Sequence, residues 1–225
     1  MTPKTQADQV IPTHPRRRVR IELVLLLLGA TMCGGCNWFK GLALFLPEPQ
    51  QTVPAEFAHL EGSVAVVVWV HPETLYDYPN VRLELASHVA DQIAASVRAK
   101  LSFADAMEIE QYIDRRGGRV VDPAQIGRQF GTHFVVYMEI LEFTLRDPFV
   151  PDLLQAKIRA SVTVYDLEHK DFVPRAYTLA PVTTLVPKRP AQFTQSNAML
   201  IRKLAYETFG GLVARKFHEY KEAVK

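Results

Sequence analysis

The sequence predicts an α/β domain: a mixed sheet of about four to five strands packed by three to four helices, including a long C-terminal helix. Three patterns carry that expectation. Val64-Ala65-Val66-Val67-Val68-Trp69-Val70 is an unbroken apolar run rich in β-branched residues, as a central strand buried on both faces requires. Ala86, Val89, Ala90, Ile93, Val97 and Leu101 recur at helical spacing, while Asp91, Gln92, Arg98 and Lys100 fall on the opposite face. Ala156, Ile158, Ala160, Val162 and Val164 alternate with Lys157, Arg159, Ser161 and Thr163, which is a strand with one covered face and one wet face.

The elements follow in order. His71-Pro72 ends the first strand, because proline cannot continue the ladder. Asn80 is placed to cap the first long helix. A short edge strand is expected near Phe103 to Met107, then a helix through Ile109, Tyr112 and Ile113 that stops at Gly117-Gly118. Asp122-Pro123 opens the next helix, with aspartate as cap and proline at the first helical position, and Gly131 closes it. His133 to Phe143 is a strand, followed by strands at Leu154 to Leu167 and Phe172 to Leu185, with Asp166 to Asp171 as a hairpin turn. The closing helix is expected from about Ala191 to Tyr220, with Gly210-Gly211 marking a kink or a close approach to the sheet.

Three segments are expected: 1–35 a lipoprotein signal peptide, 36–62 a lipidated start and Pro-rich tether, and 63–225 one α/β domain. Arg16-Arg17-Arg18-Val19-Arg20 is a positive n-region, and Leu23 to Met32 is an apolar stretch of signal-peptide size. Gly34-Gly35 then places small residues before Cys36, as in a bacterial lipobox, although Cys33 stands where leucine is favoured. On that reading Cys36 is acylated and becomes the new first residue, tying the chain to a lipid bilayer. Asn37 after it, rather than aspartate, leans toward the outer membrane. The alternative, an uncleaved anchor from Leu23 to about Leu46, is interrupted by Gly34-Gly35 and Lys40. Pro47, Pro49 and Pro54 favour an extended path for the tether. Its apolar start, from Trp38 to Leu46, either lies at the membrane interface or packs on the domain.

Charge excludes one function class. The net charge is +2, but residues 1–35 hold five basic and two acidic side chains, leaving 21 basic and 22 acidic beyond them. The basicity belongs to the address, so nucleic acid is not an expected partner. The two cysteines, Cys33 and Cys36, form a CxxC pair, but a redox site would need a folded βαβ setting and a zinc site two further ligands. His59, His71, His88, His133, His169 and His218 are scattered without HxH or HxxxH spacing, so no metal and no cofactor is expected. Glu108 and Glu110 read as a solvated helix face rather than an acid/base pair, and no GxSxG or P-loop occurs. Tyr76, Asp77 and Tyr78 lie after the first strand, at the carboxyl edge where open α/β sheets bind ligands, and are the candidate binding loop.

The stretch Asp122-Pro123-Ala124-Gln125-Ile126-Gly127-Arg128-Gln129-Phe130-Gly131-Thr132-His133-Phe134-Val135-Val136 follows a Val-rich strand and a long amphipathic helix. It resembles the "helix, Ile-Gly-x-x-x-Gly-Ala-Asp, strand" signature of envelope lipoproteins with a curli-secretion (CsgG-like) or TolB amino-terminal type of α/β domain. It is also similar to uncharacterised lipoproteins of planctomycete-type genomes. Gly127 and Gly131 match, while Thr132-His133 stands where Ala-Asp is usual. The resemblance spans roughly Ser63 to Tyr220. It implies an envelope location and protein contacts, often within an assembly, and brings no catalytic residues. The sequence thus predicts a non-enzymatic, periplasm-facing lipoprotein that binds another envelope component or self-assembles. The alternative is a hydrolase or small-ligand receptor whose site forms only in the fold.

Overall fold

The structure is a computed structural model and describes residues 50–118, 122–146, 149–150, 153–168, 174–187, 189–190 and 194–223. The signal segment, Cys33, Cys36 and most of the tether lie outside the described residues, as does the end of the turn expected at Asp166 to Asp171. Residues 51–222 form one compact unit.

Strand β2 (Gly62–Val70) is central and buried nearly throughout, because its β-branched run packs on both sides. It runs parallel to β3 (Leu101–Phe103) and to β4 (Phe134–Arg146). Strands β5 (Leu153–Asp166) and β6 (Arg175–Leu185) then add antiparallel, giving the order β3-β2-β4-β5-β6, and the two-residue β7 (Arg189–Pro190) pairs with the start of β5. The mixed sheet is the one the sequence predicts. In β5 the alternation of Ala156 to Val164 is realised as buried positions between accessible ones.

Two layers of helix cover this sheet unequally. On one face α2 (Val81–Ser96) and α5 (Thr194–Ala214) lay Leu85, Val89, Ile93, Ile201 and Phe209 over Val66, Met138, Ile158 and Val162. On the other, α3 (Ala106–Arg115) and α4 (Pro123–Gln129) bring Ile109, Ile113 and Ile126 onto Ala65, Val67 and Val135. That second layer packs mainly on β2 and β4 and meets β5 at Tyr165, near its end, so among the described residues most of β5 and β6 keep a wet face. A short helix, α1 (Pro72–Asp77), follows β2 with proline in its first turn.

The signature glycines have local reasons. A methyl group on Gly127 would sit 2.3 Å from Val135 Cγ2 and 2.5 Å from Leu167 Cδ1, so α4 packs on the sheet only with hydrogen at that position. Gly131 turns the chain into β4 with φ +61°, a left-handed conformation that favours glycine. Asp122 caps α4 as expected, accepting from Ala124 N–H at 3.0 Å.

Several expectations are corrected. Helix α2 stops at Ser96, not Leu101, because Val97 is extended and Leu101 pairs with Gly62 in β3. The edge strand ends at Phe103, because Asp105 caps α3 through Met107 N–H. Asn80 precedes α2 without a side-chain cap. The last helix ends at Ala214. Phe217, four residues after Val213, prolongs the apolar stripe from a turn, and Tyr220–Ala223 forms β8, paired with β1 (Gln50–Val53). Gly210 approaches α2 rather than the sheet, with its missing methyl 3.0 Å from Gln92 Cγ and 3.1 Å from the His88 carbonyl. Packing also begins before Ser63: Phe57 and Leu60, inside the stretch read as tether, are buried.

Candidate functional site

Cys36 lies outside the described residues. The candidate binding loop is described, and its three residues do not converge. Tyr76 and Asp77 end helix α1, and Tyr76 is 89% exposed. Tyr78 turns inward, its ring 5.0 Å from that of Phe143, and burial pushes its hydroxyl above the ordinary tyrosine range. The cavity at this carboxyl edge, about 430 Å³, is lined by Trp69, His71, Glu73, Thr74 and residues 139–143. A register shift between Ile140 and Glu142 leaves Leu141, one of its lining residues, unpaired and half-exposed. Glu142 is already engaged there by Lys157 at 2.8 Å and Arg159 at 3.7 Å.

One cluster has the residue types of a nucleophilic site. Ser63, His133 and Glu168 lie together, with His133 Nε2 at 3.1 Å from Glu168 Oε1. A serine relay requires the hydroxyl to donate to the imidazole. Here the Ser63 hydroxyl donates to the Gly131 carbonyl at 3.3 Å and accepts from His133 N–H at 3.1 Å. The ring's Nδ1 instead receives the Ser63 main-chain N–H at 3.4 Å. The arrangement fastens the start of β2 to the entry of β4 and leaves no activated nucleophile.

The buried Arg82 is likewise satisfied. Its guanidinium donates to Glu110 at 2.9 Å, to Asp114 at 2.6 Å and to the Gly118 carbonyl at 3.2 Å, tying α2 to α3. Burial pushes the Glu110 carboxyl up, against the pull of Arg82. Among the described residues no group of three or more His, Cys, Asp or Glu could hold a metal ion, and no helix is long and apolar enough to cross a membrane.

The remaining polar constellation sits on the free edge of the sheet. Strand β6 pairs with β5 on one side, and among the described residues no strand pairs with its other edge. On that edge the Ala180 N–H donates to Glu56 Oε2 at 2.8 Å, and the Lys216 ammonium donates to Glu56 Oε1. Burial opposes the charge on Glu56. The hydrogen bonds from Lys216 and Ala180, with the charge of Lys216, outweigh it and hold the carboxyl below the usual glutamate range. Phe57 anchors this stretch: its N–H donates to the Lys216 carbonyl at 2.9 Å, and its ring meets Tyr177 at 5.2 Å and Phe134 at 5.9 Å. Beside Glu56 lies a cleft of about 240 Å³, where the Arg215 guanidinium stands 5.0 Å over the Tyr220 ring. Sequence reasoning missed this group because its members are 124 and 160 residues apart and share no motif.

No family profile and no curated protein matches the chain. Among solved structures it is similar to PelC from Paraburkholderia phytofirmans, a dodecamer, at 10% identity and TM-score 0.40 over 76% of this chain and 98% of that one. It is similar to a lipoprotein from Neisseria meningitidis at 13% identity and TM-score 0.39, covering 66% of this chain and 98% of that one. It is also similar to a minor lipoprotein from Acinetobacter baumannii at 11% identity and TM-score 0.33, covering 70% of this chain and 91% of that one.

Proposed function

We propose that this chain is a lipoprotein of the cell envelope, anchored through acylated Cys36 in the outer membrane and facing the periplasm. Its α/β domain is a non-enzymatic docking module for another envelope component or a second copy. The observation that carries the docking reading is the outer edge of β6, with which no strand pairs among the described residues, beside the wet face of β5. An unpaired strand edge is a template for a further strand, and here Glu56 occupies its Ala180 N–H. The residues with catalytic chemistry support the same reading, because Ser63, His133, Arg82 and Glu110 each spend their hydrogen bonds on holding the fold. The anchor rests on the basic, apolar and small-residue sequence ending at Cys36. The glycine signature at Gly127 and Gly131 adds its resemblance to CsgG-like and TolB amino-terminal domains.

The test is metabolic labelling of cells with an alkyne palmitate, comparing the wild type with Cys36→Ala. The expected outcome is a labelled band in the membrane fraction that the substitution abolishes. An unlabelled wild-type protein in the cytosolic fraction, starting at its first methionine, overturns the reading.

A further inference from the structure

The Glu56 carboxylate is held like a bound ligand. It reaches the edge of β6 from a segment 124 residues earlier in the chain, meets a main-chain N–H on one oxygen and an ammonium on the other, and is not part of any strand. Charge-assisted bonds of this kind, from a backbone amide plus a basic side chain, are how carboxylates of extended peptides are captured. The adjoining cleft, about 240 Å³, has room for an incoming side chain: Pro181, Val182 and Thr183 line it from the edge strand, and Val53, Leu212 and Tyr220 line it from elsewhere in the chain. Pro181 has no N–H to offer, so Ala180 supplies the donor for which Glu56 and an incoming chain would compete.

We propose that this cleft is a carboxylate-recognition site on the outer edge of β6. Its ligand is an extended segment of a partner protein bearing an acidic side chain, and Glu56 is the internal occupant that the ligand displaces. The preference for an acidic segment follows from charge. The Lys216 side chain is only 14% exposed, and Arg215 lines the same cleft. A segment that displaced Glu56 without bringing a carboxylate would leave that ammonium unpaired in a largely dry place. With Glu56 seated, the competent state is a minor one and apparent affinity is low.

The inference deepens the docking reading above and rests on it. The test uses the full chain in detergent and two blocked, fluorescein-labelled heptapeptides of alternating threonine and valine, one with a central glutamate and one with glutamine there. Fluorescence anisotropy reads the affinity. The wild type is expected to bind the glutamate peptide weakly, and Glu56→Gln to bind it about tenfold more tightly, because the competing carboxylate is gone. Lys216→Met in the Glu56→Gln background returns the affinity to the wild-type level or below, and the glutamine peptide stays weak throughout. Arg215→Glu reverses the charge of an exposed residue that lines the cleft, and removes binding by the otherwise wild-type chain even if the other variants fold poorly. Equal affinity for the two peptides, no gain in Glu56→Gln, or no binding by any variant overturns the proposal. Acylation of Cys36 is read separately, so failure of this site and failure of the anchor are told apart.

Discussion

Arg82 Nη2 lies 2.6 Å from Glu110 Oε1, and the guanidinium making that contact is almost wholly buried. The pair joins α2 to α3 and so connects the two helical layers at one end of the sheet. Removing one partner of such a pair strands the other. Arg82→Ala is expected to lower stability by about 3 kcal/mol, read as a reduced urea midpoint at unchanged slope. Arg82→Lys recovers less than half of that loss, because an ammonium cannot fork to Glu110, Asp114 and the Gly118 carbonyl together.

Phe57 tests where the folded unit begins. It is 7% exposed among Phe134, Tyr177 and Phe217. Phe57→Ala is expected to cost about 3 kcal/mol in chemical unfolding. His59→Ala, two residues on and exposed, should shift stability by less than about 0.5 kcal/mol. Equal, negligible effects would mean that this stretch is an unpacked tether after all.

Glu56 gives the domain a pH dependence of definite sign. Its carboxyl is held below the ordinary glutamate value in the folded state, so it favours folding when ionised. Glu56→Gln should cost about 1 kcal/mol at pH 7, because solvent screening at this partly exposed site keeps the effect below that of a buried pair. The wild type's advantage is full above about pH 5 and fades as pH falls through the folded value. Urea titrations of both proteins at pH 7 and pH 3 check this, with the gap closing at the lower pH.

The glycine pair in α5 separates packing from propensity. Among the described residues, nothing beyond the helix's own neighbouring turn lies within 4 Å of a methyl group at position 211, so Gly211→Ala should gain about 1 kcal/mol from helix propensity alone. At Gly210 the added carbon meets the His88 carbonyl at 3.1 Å, and the crowding should erase that gain. Thermal melts of the two variants read the difference directly.

The parts of this fold legible in the sequence are those whose signals are local. Val64 to Val70 announces a strand covered on two sides, Ala156 to Val164 announces one covered on one side, and Asp122-Pro123 marks a helix start that the cap bond confirms. Strands β1 and β8 carry no such pattern, since Gln-Gln-Thr-Val and Tyr-Lys-Glu-Ala become strands only by pairing across most of the chain. Phe57 and Leu60 were hidden by polar and proline-rich neighbours. Phe217 misled in the opposite sense, since its spacing from Val213 is helical although the helix has ended. Tyr76 and Tyr78 show the limit for sites: two residues apart, they face opposite environments because the chain leaves a helix between them. The Glu56–Lys216 contact could not be found locally at all.

Strand β5 places two evolutionary regimes on one ribbon. At Ala156, Ile158, Ala160, Val162 and Val164, with helices pressed against them, only exchanges that keep volume are tolerated. At Lys157, Arg159, Ser161 and Thr163 no helix among the described residues presses down, so charge and size can drift with little penalty to folding. New specificity can therefore be written on every second residue of that strand while the intervening ones keep the architecture unchanged.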